Sequence, residues 1–216
     1  MCGRYTLTRS AGELVETFDV PDLAFDYQPC YNIAPGRAVP VLAEDKKGRR
    51  IGPLIWGFIP SWSKQPGKAF INARAETVAH TPSFRDSFAR RRCLIPADGF
   101  FEWRKDGAAK TPFWFHTSDA GLFTMAGIWD HWAGPDEEPR YTFAILTTEA
   151  NADVSDVHDR MPVVVDAQFR DAWLGRDASV DEAMNVLAPK TRWLRREVGP
   201  RVGSPRNNDP SILDPV

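Results

Sequence analysis

Short apolar segments of strand length follow one another through the second half of the chain, separated by turn residues. The clearest pair is GFFEWR at 99–104 and TPFWFH at 111–116, joined through an Asp-Gly pair typical of a hairpin. Helical patterns do not alternate with these segments, which argues against a doubly wound parallel sheet. We therefore expect a single α+β domain, rich in β-structure, whose strongly bent, mainly antiparallel sheets are barrel-like, with short helices at the periphery. The other strands expected in this half are CLIP at 93–96, LFTMAGIW at 122–129, YTFAILTT at 141–148 and PVVVD at 162–166.

Helix signals are few and short. Ser10 and Glu13 form a capping-box pattern, which predicts a helix that ends near Phe18. Asp166 and Gly175 flank a segment with an apolar face and predict a second short helix. Two further short helices are expected, at 82–91 and at about 179–188.

The rest of the chain is less regular. A Pro- and aromatic-rich loop is expected at 21–37, followed by two strands at 38–43 and 50–56. Residues 57–80 show no regular period, and a polar, Pro-dense stretch of that length is typical of a functional segment. The last residues are rich in Pro, Asn and Gly. We therefore expect a domain over 1–198, followed by a loosely docked or flexible tail over 199–216.

Composition narrows the function classes. A formal net charge of −2 argues against indiscriminate coating of nucleic acid, although it allows a local basic groove. No apolar run reaches the length of a membrane span, and the start is not a secretory signal, so a cytoplasmic protein is expected. The three cysteines and four histidines lack the spacings of metal sites, so we expect neither a metal nor a cofactor.

Cys2 carries the most specific chemistry in the sequence. Its small side chain permits removal of Met1, which would leave a cysteine with a free α-amine beside its thiol. Such an aminothiol can attack a carbonyl as an N-terminal nucleophile, or condense with an aldehyde to a five-membered thiazolidine. Gly3, which separates Cys2 from Arg4, lets a ligand approach the backbone closely.

Polar groups that suit a reactive site recur in three later segments. In INARAET, Asn72 and Arg74 alternate, so in an extended segment they would point to the same side. Glu102 follows two phenylalanines within a strand. Either apolar surroundings raise the pKa of its carboxyl, as suits a general acid or base, or the side chain faces solvent. His158 and Arg160 also alternate, just before an apolar strand.

Eight motifs in order make the chain similar to the SRAP family, named for "SOS response-associated peptidase". They are MCGRY, YNIAPG, WGFIPSW, INARAET, CLIPADGFFEW, AGIWD, FAILTTEAN and HDRMPVVV, spanning residues 1 to about 165. The resemblance implies a β-rich α+β fold with a positively charged DNA groove. It also implies a function in which abasic sites in single-stranded DNA become covalently crosslinked to the protein.

The resemblance further implies roles for individual residues. Cys2 would form the crosslink after loss of Met1, and Asn72 would orient its amine and the sugar. Glu102 would act as acid and base, and His158 would assist proton transfer at the sugar oxygen. The residues implied to bind DNA are Arg4, Arg74 and Arg160 at phosphates, and Trp62, Phe70 and Trp103 at nucleotides near the lesion. The implied partner is single-stranded DNA with an abasic site, alone or at a junction with duplex, bound by a monomer that associates with the nucleoid through that DNA.

Three other interpretations remain open. Cys2 could be the thiol nucleophile of a peptidase with His158 as base, in its minimal form an autopeptidase that removes Met1. The chain could be an N-terminal nucleophile amidotransferase, although the glutamine-site motifs of that class are missing. It could also be a non-covalent reader of modified or single-stranded DNA.

Overall fold

The computed structural model describes residues 2–23, 25–45, 48–64, 67, 69–107, 109–133, 138–175, 177–187 and 191–216. Within them the strands are β1 Tyr5–Leu7, β2 Cys30–Ile33, β3 Ala38–Asp45, β4 Gly48–Trp56, β5 Asn72–Arg74, β6 Arg92–Ala97, β7 Gly99–Asp106, β8 Ala109–His116, β9 Phe123–Trp132, β10 Arg140–Glu149, β11 Arg160–Pro162 and β12 Leu194–Glu197. The α-helices are α1 Ala11–Phe18, α2 Arg85–Arg90, α3 Arg170–Leu174 and α4 Val180–Val186, and 3-10 helices cover Ala167–Phe169, Pro200–Gly203 and Pro210–Leu213.

Five strands close into a barrel. β4, β3, β6, β9 and β10 pair in that order through antiparallel ladders, and a short parallel ladder between β10 and β4 completes the ring. Gly127 of β9 allows the close packing inside, because a Cβ there would lie 2.3 Å from Cδ1 of Ile95. The expected barrel-like, β-rich α+β domain is therefore confirmed.

The second sheet is antiparallel throughout, in the order β12-β8-β7-β1-β2. The predicted hairpin joins β7 to β8, and Gly107 in its turn has a φ of 64°, which glycine adopts without strain. This sheet carries the start of the chain, because β1 lies between β7 and β2.

β10 extends past the barrel and collects two short strands. Its first half pairs with β9 on one side and β4 on the other. From Ile145 onward, β5 continues on the side of β4 in parallel, and from Thr147 onward β11 continues on the side of β9. This end of β10 therefore brings residues 72–74 and 160–162 to opposite edges of one strand.

The predicted capping box at Ser10 is confirmed. Ser10 caps α1 in a capping box with Glu13, and Ser179 and Glu182 form a second capping box at α4. The helix expected from Asp166 instead begins as a 3-10 turn, and the Asp166 side chain makes no capping hydrogen bond. No described helix is long and apolar enough to cross a membrane.

Residues 200–213 pack on the second sheet. Val202 and Ile212 are buried and form a small apolar cluster with Phe101 of β7, Trp114 of β8 and Val198. The division of the chain at residue 198 stays a prediction, and this cluster provides a direct test of it.

Replacement of Ile212 by Ala should lower the free energy of unfolding by about 2–4 kcal/mol, because it leaves a cavity among buried aromatic rings. Urea denaturation followed by tryptophan fluorescence measures this. The matched control is Val216→Ala, since Val216 is 82% exposed and its loss should change stability by less than about 0.5 kcal/mol. Equal, negligible effects of both substitutions would mean that the end of the chain is only loosely docked.

Candidate active site at the junction of the two sheets

Cys2 lies where the second sheet meets the extension of β10. The β1–β7 ladder pairs Tyr5 with Phe100, and the Phe101 amide donates to the Arg4 carbonyl at 2.9 Å. Continuation of this register brings Gly3 opposite Glu102. From the other sheet, Nδ2 of Asn72 donates to the Cys2 carbonyl at 2.9 Å. The backbone of Cys2 is thus held from both sheets.

The Cys2 thiol is fully buried, and its environment keeps it protonated. Burial raises the pKa of the thiol well above its usual range, and the nearby negative charge of Glu102 raises it further. A hydrogen bond from the Arg4 backbone acts in the opposite direction but is a smaller effect. Reactive thiolates in proteins require the reverse shift, which positive groups or helix N-termini produce.

Glu102 is inside the protein rather than on a solvent face. The residue is 4% exposed on β7, opposite Phe113 of β8. Burial raises the pKa of this carboxyl to about 7. At neutral pH the group therefore exchanges between carboxylate and carboxylic acid, as a general acid or base requires.

His158 faces Glu102. Its Nε2 lies 4.0 Å from Oε2 of Glu102, and its Nδ1 accepts a hydrogen bond of 2.9 Å from the Arg160 amide. Nδ1 also lies 3.0 Å from the carboxylate of Asp159, a contact that would require a proton on Nδ1. Burial lowers the pKa of the imidazole, which favours the neutral ring. The amide bond from Arg160 requires Nδ1 without a proton, so the proton of this neutral ring is on Nε2. The Nε2–H is then directed towards Glu102.

The side-chain amide of Asn72 has a second polar atom, the oxygen Oδ1. Its Oδ1 is buried and, within the described part of the chain, accepts no hydrogen bond. A buried acceptor without a donor is costly, and such groups often serve a ligand. The Nδ2 of the same amide is engaged with Cys2, so Oδ1 lies next to the backbone of the nucleophile.

Arg160 is bound to a residue that the sequence analysis did not select. Both of its terminal nitrogens donate to the Glu76 carboxylate, at 2.9 and 2.8 Å, and Nη2 also donates to the Thr147 carbonyl at 2.6 Å. Burial opposes the effect, but these hydrogen bonds lower the pKa of Glu76 to about 2. Glu76 continues the alternation of Asn72 and Arg74 in INARAET, and this pattern was the signal that could have identified it.

Arg4 is hydrogen-bonded to the buried Asn32, a second residue that the sequence analysis did not select. Nη1 of Arg4 donates to Oδ1 of Asn32 at 2.8 Å and to the Val202 carbonyl at 2.7 Å. Nδ2 of Asn32 donates to three carbonyls of the final segment, those of Val202, Ser204 and Asn207. The Arg4 guanidinium also lies 5.8 Å from the ring centre of Trp103. The polar asparagine of YNIAPG was the available signal.

The remaining predicted DNA-binding residues are on the surface. Arg74 is exposed at the end of β5, and Trp62 and Phe70 are 64% and 41% exposed in the segment before it. Phe70 packs edge-on against Phe84, with ring centres 5.2 Å apart. The structure thus joins Cys2, Asn72, Glu102 and His158 through contacts and charge, and places Arg74 two residues from Asn72. Among the described residues, no group of three or more His, Cys, Asp or Glu side chains could hold a metal ion.

The chain resembles known proteins over its full length. It is 38% identical to the abasic site processing protein YoaM of Bacillus subtilis, with 99% of this chain and 98% of that protein covered. It is 31% identical to the abasic site processing protein YedK of Escherichia coli, with both chains fully covered, and 32% identical to HMCES of Gallus gallus, which bears the same description, over 88% of this chain and 67% of that protein.

Solved structures agree with the fold. A crystal structure of a protein from Bacteroides thetaiotaomicron superposes with a TM-score of 0.88 at 28% identity and covers all of both chains. The model of the family described as SOS response associated peptidase (SRAP) matches residues 1–205. The chain therefore belongs to the SRAP family.

Proposed function

We propose that this protein captures abasic sites in single-stranded DNA by forming a covalent thiazolidine with Cys2 after Met1 is removed. The observation that carries the proposal is the fixation of Cys2 by Asn72 beside a buried carboxyl, Glu102, whose pKa is about 7. The description of the full-length relatives as abasic site processing proteins supports this substrate.

The α-amine is the better first nucleophile. Its reference pKa of about 7.7–8.0 is far below the value of about 10.4 for lysine, so much more of it is neutral at pH 7. The thiol, by contrast, is kept protonated by burial. Glu102 in its carboxylate form removes a proton from the ammonium, and the free amine attacks the aldehyde of the ring-opened sugar.

The subsequent steps balance with loss of one water. The carbinolamine hydroxyl leaves as water after protonation by Glu102, now a carboxylic acid, and the resulting iminium returns its N–H proton to the Glu102 carboxylate to give a neutral imine. The Cys2 sulfur then adds to the imine carbon while the thiol proton is transferred to nitrogen. Both nucleophiles belong to one residue, so ring closure is intramolecular and gains effective concentration. The product has no imine, and the DNA strand stays unbroken.

Two neighbours complete the proton chemistry. The buried Oδ1 of Asn72 can accept a hydrogen bond from the Cys2 amine or from a sugar hydroxyl. The neutral imidazole of His158 directs its Nε2–H towards Glu102, which suits proton transfer at the sugar oxygen as the ring opens.

Residues on the surface around the site are suited to bind DNA. The exposed Arg74 guanidinium suits a phosphate, and the exposed rings of Trp62 and Phe70 suit stacking with bases of an unpaired strand. Arg4, Trp103 and Arg160 are proposed to contribute from positions that other contacts already fix. The protein is proposed to act as a monomer, on plain single strands or on junctions with duplex DNA.

The peptidase alternative draws little support from the site. A thiol peptidase needs a thiolate, whereas burial and Glu102 both raise the pKa of the Cys2 thiol. Nε2 of His158 lies 4.0 Å from Oε2 of Glu102, a carboxylate rather than a thiol. The proposal requires that Met1 be removed, either autocatalytically or by an aminopeptidase.

Wild-type protein without Met1 should form an adduct with an abasic single-stranded oligonucleotide, and the adduct should survive denaturing electrophoresis. Intact mass spectrometry should give the sum of the two masses minus one water. Cys2→Ala should form no such stable adduct, because ring closure needs the sulfur. The matched control is Cys93→Ala, which removes another fully buried thiol, in the barrel, and should leave the adduct unchanged. Equal crosslinking by Cys2→Ala would overturn the proposal, and salt-sensitive binding without any adduct would favour a non-covalent reader.

Glu102→Gln should slow adduct formation by about 10²-fold at pH 8 and remove the part of the rise in rate that is centred near pH 7, leaving the rise from the α-amine at about 7.7–8.0. The same substitution should stabilise the fold. Because the folded pKa of Glu102 is raised from 4.5 to about 7, the wild type loses stability as pH rises through that window. Glu102→Gln should therefore be more stable at pH 8 by up to about 3 kcal/mol, measured by urea unfolding. An unchanged rate profile would exclude Glu102 as the base.

A further inference from the structure

We propose that Glu76 is a positioning residue for His158, acting through Arg160. This inference rests on the proposed function, because His158 is there the group that moves a proton at the sugar. This positioning role explains why a carboxylate lies at the edge of a site that is expected to bind DNA, which is itself negatively charged.

Glu76 connects three segments of the chain. It lies in the turn after β5, and its carboxylate accepts hydrogen bonds from both terminal nitrogens of Arg160 in β11. It also accepts from the Thr148 hydroxyl at 3.1 Å and from the Glu149 amide at 3.3 Å, both at the end of β10. Burial opposes the shift, but the bonds from Arg160 and Thr148 lower the pKa of Glu76 to about 2, so the carboxylate stays charged at any pH relevant to crosslinking.

Arg160 relays this restraint to the imidazole. Its guanidinium is fixed by Glu76 and by the Thr147 carbonyl, and its side chain is only 13% exposed. Its backbone amide is the donor to Nδ1 of His158. That bond selects the tautomer with the proton on Nε2 and sets the ring angle at which Nε2 faces Glu102. Loss of the Glu76 contacts would remove two of the hydrogen bonds that hold the Arg160 guanidinium, so that Arg160, and with it the amide that orients His158, would be held less firmly.

A competing interpretation assigns Glu76 a different effect. If Arg160 mainly binds a DNA phosphate, Glu76 competes with that phosphate for the same two nitrogens. Removal of Glu76 would then strengthen DNA binding and would not slow bond formation. The two interpretations therefore differ in which step changes.

The experiment separates binding from chemistry. Affinity is measured with an oligonucleotide that carries a tetrahydrofuran abasic analogue, which has no aldehyde, and the rate of adduct formation is measured at saturating abasic oligonucleotide. We expect Glu76→Gln to slow adduct formation about tenfold. The matched control, Glu149→Gln, removes an exposed carboxylate nearby. Both variants should change affinity equally and by less than about threefold. A slower rate in Glu149→Gln of the same size, or tighter binding with an unchanged rate in Glu76→Gln, would overturn the proposal.

A double-mutant cycle tests whether the effect passes through His158. In a His158→Ala background, Glu76→Gln should cause no further slowing, because the effects of substitutions at residues that act through one another are not additive. Full additivity would contradict the relay.

An independent readout covers the case in which no adduct forms at all. The ¹⁵N signals of the imidazole, assigned with His158→Ala, should show a neutral Nε2–H ring in the wild type and an altered ring in Glu76→Gln. An unchanged spectrum would refute the positioning role whether or not the proposed function holds. A changed spectrum in a protein that never crosslinks would refute the proposed function alone.

Discussion

The hydrogen bond from Asn72 to the carbonyl of Cys2 joins the barrel to the second sheet at the point where the chain begins. Each sheet alone supplies only part of the site. Cys2 and Glu102 come with the second sheet, whereas Asn72 and the segment that leads from His158 into β11 come with the extension of β10. Every group of the proposed mechanism therefore depends on how these two sheets meet.

Burial shifts the titration of three neighbouring groups in the directions that this chemistry needs. It raises the pKa of the Cys2 thiol and of the Glu102 carboxyl, and it lowers the pKa of the His158 imidazole. All three shifts favour the neutral form, because a poorly hydrated site destabilises charge of either sign. An amine then competes well as the first nucleophile, and the thiol follows with its proton. A peptidase that relies on a thiolate and imidazolium pair would require the opposite shifts.

Local patterns predicted the elements whose stability is local. The capping box at Ser10, the Asp-Gly turn after β7 and the long apolar strands are set by neighbours in sequence, and all are observed. β1, β2, β5 and β12 have three or four residues each and gain their hydrogen bonds from distant partners, so no periodicity marks them. The strand expected at 162–166 pairs instead from Arg160, because the end of β10 sets the register.

The candidate site shows the same difference between features set by neighbours in sequence and features set by distant contacts. Motifs identified Cys2, Asn72, Glu102 and His158, but residue type alone could not show that Glu76 and Asn32 hold the two arginines beside them. The C-terminal arginines are visible in the sequence, but their partners are not. Arg192, Arg195 and Arg201 each form an ion pair with an aspartate, and Arg196 donates to the Leu213 carbonyl. Three of these four charges are therefore paired with aspartates, which composition alone cannot reveal.

The central claim is that the α-amine of Cys2, and not the thiol alone, makes the first bond to the abasic site. The most direct test inserts one glycine between Met1 and Cys2, so that the processed chain keeps the thiol but presents the amine of another residue. Mass spectrometry confirms the new terminus and thermal unfolding confirms the fold, and adduct formation is then followed on an abasic oligonucleotide. No stable adduct is expected. Crosslinking at the wild-type rate, with the same loss of one water relative to the summed masses of protein and oligonucleotide, would contradict the claim.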